Sequence, residues 1–185
     1  DPYGSRYDDV EVSLNVRYRG AKAEIAVGER SSARARVAGR IMLYRLMGKL
    51  GFLTIRDGMG TIQIGLSRGD LEAQWPVIKE LQAGDIIGVD GVLGRTKTGE
   101  LTVWAEKLTV LCKALRPLPE KWHGLTDVET RYRQRALDLV ANPDVKRIFV
   151  TRSTIIQAIR NFLVGKGFLE VETPMMHPIP GGATA

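Results

Sequence analysis

The sequence predicts a mainly β protein: a five-stranded barrel with one helix, then a hinge, then the first helix and strand of an α+β domain. Three observations carry this. Five β-favouring runs, separated by turn residues, lie between Val37 and Cys112. One stretch of helical spacing, Asp70–Gln82, interrupts them. Beyond Arg116-Pro117-Leu118-Pro119 the apolar period becomes that of a helix.

The first run, Val37–Leu46, is rich in branched and large apolar residues and reads as a strand. Gly48 and Gly51 bracket a turn, and Phe52–Arg56 is a second strand. Asp57-Gly58-Met59-Gly60 is a strong turn signal. Thr61–Ile64 then alternates polar and apolar, so these two strands form a hairpin with one buried face. In Asp70–Gln82 the residues Leu71, Trp75, Ile78 and Leu81 keep helical spacing. The regular helix is expected to begin at Pro76, where a missing N–H costs little, and to stop at Gly84. Asp85–Arg95 and Leu101–Cys112 are two further strands around the turn Thr96–Glu100. Five strands with a helix between the third and fourth is the plan of an OB-fold, and other small one-helix barrels fit the count almost as well.

The flanks differ from this core. Residues 1–36 read as a polar N-terminal extension, with a short helix near Val12–Tyr18 and a solvated linker at Ser31, Ser32, Arg34 and Arg36. The barrel takes 37–115 and the hinge 116–143, where each proline restricts the residue before it. Within the hinge, Thr130–Val140 is helix-like, and its Arg131, Arg133 and Arg135 read as a solvated face. Asn142-Pro143-Asp144 reads as a helix start, with a cap, a first-turn proline and an acid at the positive end of the dipole. The helix of 144–185 gathers Ile148, Phe149, Ile155, Ile156, Ile159, Phe162 and Leu163 on one broad face. Gly165 and Gly167 end it, and Phe168–Pro174 is a short strand. The first residue is Asp, and the last six have the composition of a loop, so the chain reads as a fragment.

Composition bounds the chemistry. The 185 residues are 44% hydrophobic, enough for a real core, and carry a net charge of +6, which suits a polyanionic partner without demanding one. The one cysteine, Cys112, excludes an internal disulfide and a Cys-rich zinc site. His123 and His177 have no carboxylate or thiol at metal spacing, so no metal ligand is expected. No apolar run reaches bilayer length and no cleavable signal opens the chain; a cytoplasmic location, away from membranes, is the default expectation. No catalytic residue is assigned: Glu170 and Glu172 lack a nucleophile or acid–base partner.

An OB-fold binds single-stranded nucleic acid through aromatic stacking and basic or hydrogen-bonding side chains. Arg45, Phe52, Gln63 and Glu100 are the candidates. Phe52 begins the second strand beside a glycine and could offer its ring to an unstacked base. Gln63 carries both a donor and an acceptor for a base edge. Arg45 suits stacking or phosphate, and Glu100 could accept from a base amino group at a hairpin tip. The plainer readings are core for the phenylalanine and solvated surface for the rest, and spacing alone does not decide between them.

Several stretches together resemble one family. Lys113–Leu125 and Glu129–Leu139 resemble the hinge of lysyl-tRNA synthetases. Gly167–Pro174 resembles motif 1 of the class II synthetases, and Met175-Met176 with Ile179–Ala183 favour the lysine enzymes over the aspartate and asparagine ones. The resemblance runs from about Val37 to Ala185. It implies a homodimer with Pro174 at the interface, and a Gly181-Gly182-Ala183 loop against the lysine substrate. It implies that Phe52 and Gln63 stack on and read the central anticodon base, a uridine, of tRNA-Lys. It implies a loop contact for Arg45 and, less directly, one for Glu100. It also implies ATP and Mg²⁺ as cofactors of a full-length lysine–tRNA ligase, held by residues beyond Ala185 rather than by this chain. Two positions depart from the pattern. Ala136 stands where an aromatic is usual, and Gly65 where the third strand usually carries a larger residue, which suggests a divergent member or loosened packing. A stand-alone OB-fold RNA-binding module and an aspartate or asparagine synthetase are the alternatives.

Overall fold

The computed structural model describes residues 6–119 and 125–173. Pro174, Gly181, Gly182 and Ala183 lie outside the described residues. The chain divides into two compact units, Asp1–Leu118 and Pro119–Ala185. Among the described residues no helix is long and apolar enough to cross a membrane.

In the first unit, helix α1 (Ser13–Lys22) precedes strands β1 (Arg30–Met47), β2 (Leu50–Arg56) and β3 (Thr61–Ser67). A 3-10 turn (Glu72–Gln74) leads into α2 (Trp75–Lys79), followed by β4 (Ile86–Arg95) and β5 (Leu101–Cys112). The strands close into a barrel in the order β1-β2-β3-β5-β4. All pairs are antiparallel except β3 with β5. This is the expected OB-fold plan.

Alternation along the strands sends one set of residues inward. Val37, Ile41, Leu53, Ile55, Ile62, Ile64, Leu66, Ile87, Val89, Leu93 and Val103 fill the interior, and α2 adds Trp75 and Ile78 across one end. Each such side chain contributes about 1.5–3 kcal/mol. The Tyr44 hydroxyl donates to the Ile78 carbonyl at 2.6 Å, fastening α2 to β1. At the same end the buried Asp85 carboxylate accepts from Lys113 Nζ at 2.6 Å and from the Ala114 and Gln82 N–H groups.

Three expectations about this unit change. The first strand begins at Arg30 rather than Val37, so Ser31, Ser32, Arg34 and Arg36 belong to the barrel and not to a solvated linker. Arg34 and Arg36 lie on the outer sheet face, where Arg36 pairs with Asp90 at 2.9 Å and Arg34 with Glu106 at 2.5 Å, and the Ser31 hydroxyl donates to the Leu93 carbonyl. The regular turns of α2 end at Lys79, before Gly84, which instead holds a positive φ of 102°. The segment before β1 is packed rather than loose, because Val16 of α1 is fully buried.

One carboxylate docks that helix. Asp57, in the β2–β3 turn, accepts from the N–H and the hydroxyl of Ser13 and from the Met59 and Gly60 N–H groups. Burial pulls the Asp57 pKa upward, and these hydrogen bonds outweigh it, holding the carboxyl below its ordinary value.

In the second unit, α3 (Val128–Arg133), α4 (Arg135–Ala141) and α5 (Pro143–Gly165) follow. The expected single helix of Thr130–Val140 is broken at Gln134, whose ψ is 57°. Asp127 caps α3 by accepting from Thr130 N, a cap the sequence reading missed. The Asn142 side chain does not cap α5 but donates to the Leu125 carbonyl and to Asp138. Pro143 and Asp144 do occupy the first turn. Arg131 and Arg135 are not simply solvated: both pair with the fully buried Asp138. Burial pushes that carboxyl upward, while the Asn142 and Arg131 hydrogen bonds and the two arginine charges pull it further down, below the ordinary range. Among the described residues Arg133 pairs with exposed Glu129 alone. Residues 168–173 form no strand, since no neighbouring strand pairs with them among the described residues. The broad apolar face of α5, Ile155, Ile159 and Phe162 included, is exposed.

Asp57 yields a pH-dependent expectation. A carboxyl with a lowered folded pKa contributes stability above the unfolded value, and that contribution is lost as pH falls through the folded value. Asp57→Asn should cost about 1–3 kcal/mol near neutrality. It should also flatten the fall of Tm seen below about pH 4, in thermal melts followed by circular dichroism. An unchanged acid limb would remove Asp57 as the docking group.

Candidate nucleic-acid interface

Residues that alternate with the core residues point outward on β1, β2, β3 and β5, and the candidates fall among them. Arg45 stands opposite Phe52 across β1 and β2. Phe52 stands opposite Gly65 on β3, and Gly65 opposite Trp104 on β5. Gln63, two residues from Gly65 and therefore on the same face, stands between Thr54 and Thr102. Arg45, Phe52 and Gln63 thus share one outer patch.

Their surroundings differ. Arg45 is exposed and makes no ion pair among the described residues. Phe52 is half-buried on the outer face, not in the core; its ring meets Trp104 edge to face, with centroids 5.9 Å apart and planes at 68°. Gln63 Nε2 donates to Thr102 Oγ1 at 2.9 Å, which fixes the amide and leaves its carbonyl and second N–H without a partner among the described residues.

Glu100 lies apart from Arg45 and Phe52 but near Gln63. Its N–H donates to Thr96 Oγ1 and its carbonyl accepts from Thr96 N, so its backbone closes the hairpin while the side chain stays exposed. Gln63 and Glu100 line one small cavity of about 60 Å³, with Arg17, Thr54, Thr61 and Leu101 around them. Arg17 reaches it from α1 and donates to the Thr61 carbonyl at 3.3 Å. The sequence reading missed Arg17, because nothing local says that α1 docks beside β3.

Trp104 was missed as well. It occupies the space that Gly65 leaves: a Cβ on Gly65 would lie 2.6 Å from the indole Cε3, and one on Gly94 would lie 2.7 Å from Cδ1. The small residue on β3 therefore accompanies tight packing, not the loosened packing expected for it. The signal was present as a glycine and a tryptophan on two strands, and only the β3–β5 register makes them neighbours.

The patch is thus an aromatic and amide surface with cations at its rim and no assembled acid–base pair. Among the described residues no group of three His, Cys, Asp or Glu side chains could hold a metal ion. A stacking and hydrogen-bonding face on a closed five-stranded barrel is the equipment of a single-strand-binding OB domain.

Comparison with known proteins defines the class further. The description "OB-fold nucleic acid binding domain" matches residues 35–111. The description "tRNA synthetases class II (D, K and N)" matches residues 127–185. The chain thus joins an OB-fold nucleic acid binding domain to a segment of the class II tRNA synthetase family. Within that class it is similar over its whole length to lysine–tRNA ligases: 53% identical to that of Magnetococcus marinus, 50% to that of Pelotomaculum thermopropionicum and 47% to that of Staphylococcus aureus. It spans 37%, 35% and 38% of those proteins, a little over a third of their length.

The Gly65–Trp104 contact is testable as a pair. Gly65→Ala should cost about 1–3 kcal/mol through overpacking against the indole. In a Trp104→Ala background most of that cost should disappear. Urea melts of the four proteins in the cycle measure the coupling, and simple additivity of the two changes would refute the contact.

Proposed function

We propose that the first unit reads the anticodon of tRNA-Lys, as the first part of a lysine–tRNA ligase. The observation that carries the reading is the placement of Phe52, Gln63 and Arg45 on one outer face, on a barrel similar over its full length to lysine–tRNA ligases. Phe52 stacks on the central base. The fixed amide of Gln63 pairs with that base's edge. A uridine edge offers both an acceptor and a donor, which an amide can match. Arg45 and Arg17 meet backbone phosphates. Glu100 closes the far side of the Gln63 cavity.

The rest of the reading follows from family. The whole protein activates lysine with ATP and Mg²⁺ and transfers it to tRNA-Lys. It acts as a homodimer, in which Pro174 contributes to the interface. The Gly181-Gly182-Ala183 loop lies against lysine. The exposed apolar face of α5 supports an assembly that covers it.

Fluorescence anisotropy with labelled anticodon stem-loops, at two salt concentrations, tests the anticodon reading. A UUU loop should bind more tightly than one with a changed central base, and the preference should survive higher salt. Phe52→Ala should weaken binding by about 1–3 kcal/mol. Gln63→Ala should reduce the preference more than the affinity. Equal, salt-sensitive binding of both loops would reduce the patch to a basic surface meeting a polyanion and withdraw the roles of Phe52 and Gln63.

A further inference from the structure

The anticodon reading uses one aromatic ring, and the same outer face holds a second. The Trp104 indole lies across Gly65 and Gly94, where no side chain intervenes. One edge contact, to Phe52, spans 5.9 Å between centroids. Over the ring sits the Arg30 guanidinium, 4.2 Å from the centroid. Arg30 is on β1 opposite Gly94, and its NH1 donates to Asp70 at 2.7 Å. The guanidinium is therefore held by a ring beneath it and a carboxylate beside it, while its side chain stays 41% exposed.

Simple packing explains this arrangement poorly. The indole Nε1 is buried and has no hydrogen-bond partner among the described residues. Such a donor costs stability, so a merely space-filling group would be better apolar. The tryptophan contributes instead a broad face beside Phe52 that orients a planar cation. A guanidinium plane is itself a surface on which nucleobases stack, and it stacks on aromatic faces at the same time. An exposed Arg–Asp pair contributes little to stability by itself, so its main physical effect here is to restrict the guanidinium's orientation.

We propose that Arg30, backed by Trp104 and restrained by Asp70, is a second stacking plane that receives the unpaired nucleotide adjoining the base on Phe52. The inference rests on the anticodon reading above and extends it from one nucleotide to two. Trp104 links the two planes: its edge meets Phe52 with centroids 5.9 Å apart, and its face carries the Arg30 guanidinium at 4.2 Å, so the ring and the cation belong to one contiguous surface. The plane has no base-edge partner of its own, so it supplies affinity and loop shape while Gln63 supplies the choice of base.

Arg30→Lys separates stacking from charge, because an ammonium keeps the charge and loses the plane. The probes are stem-loops that keep the central uridine and carry 2-aminopurine, whose fluorescence is quenched by stacking, at one or the other flanking anticodon position. With the unaltered 185-residue chain, binding should quench one of the two probes. With Arg30→Lys that quenching should be lost and affinity should fall about five- to hundredfold, while preference for a central uridine over a changed base persists. Asp70→Asn, which frees the guanidinium without removing it, should reduce the quenching only in part. Absence of quenching at both flanking positions, or quenching unchanged in Arg30→Lys, overturns the proposal. If the unaltered chain shows no preference for the central uridine, the Phe52–Gln63 reading fails first, and this inference falls with it.

Discussion

The structure depends on one strand serving two partners. β1 is 18 residues long, and its first part, Arg30–Arg40, pairs with β4 while its second, Arg40–Met47, pairs with β2. A register shift between Ile41 and Leu43 lets the strand bend as it passes from one neighbour to the other. This closes the sheet, removes its free edges and separates an inside from an outside. Every later feature follows from that separation: the aliphatic interior, the outward row of Arg45, Phe52, Gln63 and Trp104, and the rim where α1 and the β4–β5 turn meet.

On that outer surface, size is distributed between strands. A glycine on β3 and a tryptophan on β5 share one space, because the indole lies where a β3 side chain would otherwise project. Phe52 is supported from the side by this indole, which limits its rotation and presents its face outward. A ring held in place loses less freedom when a base stacks on it.

Charge is used in two distinct ways. The buried carboxylates Asp85 and Asp138, together with half-buried Asp57, accept several hydrogen bonds each and fasten one segment to another. They join a strand end to a helix loop, one helix to the next, and α1 to a hairpin turn. Arg17 and Arg45 stay exposed around the aromatic patch, so their charge remains available to a polyanion, while the exposed Arg30 is held by Asp70. The net positive charge is a poor guide to this division, because Arg131 and Arg135 contribute to it and are committed to Asp138.

Much was legible in the sequence alone. Period-two alternation in β2 and β3, the turn Asp57–Gly60, Pro76 at the start of α2 and the proline-rich end of the barrel are local signals. Local signals report backbone preference and the alternation of faces, so strand count and helix position could be read directly, whereas spacing alone left Phe52 open between core and surface. Family motifs added the class. Only the tertiary structure decided that residues 30–36 extend the first strand, that α1 brings Arg17 to the Gln63 cavity, that Arg131 and Arg135 share Asp138, and that Trp104 fills the space at Gly65 beneath Arg30. Each of these joins residues that chain-local preference treats as independent. Strand register and helix docking bring them together, and both are set by the packing of the whole barrel rather than by any short stretch of chain.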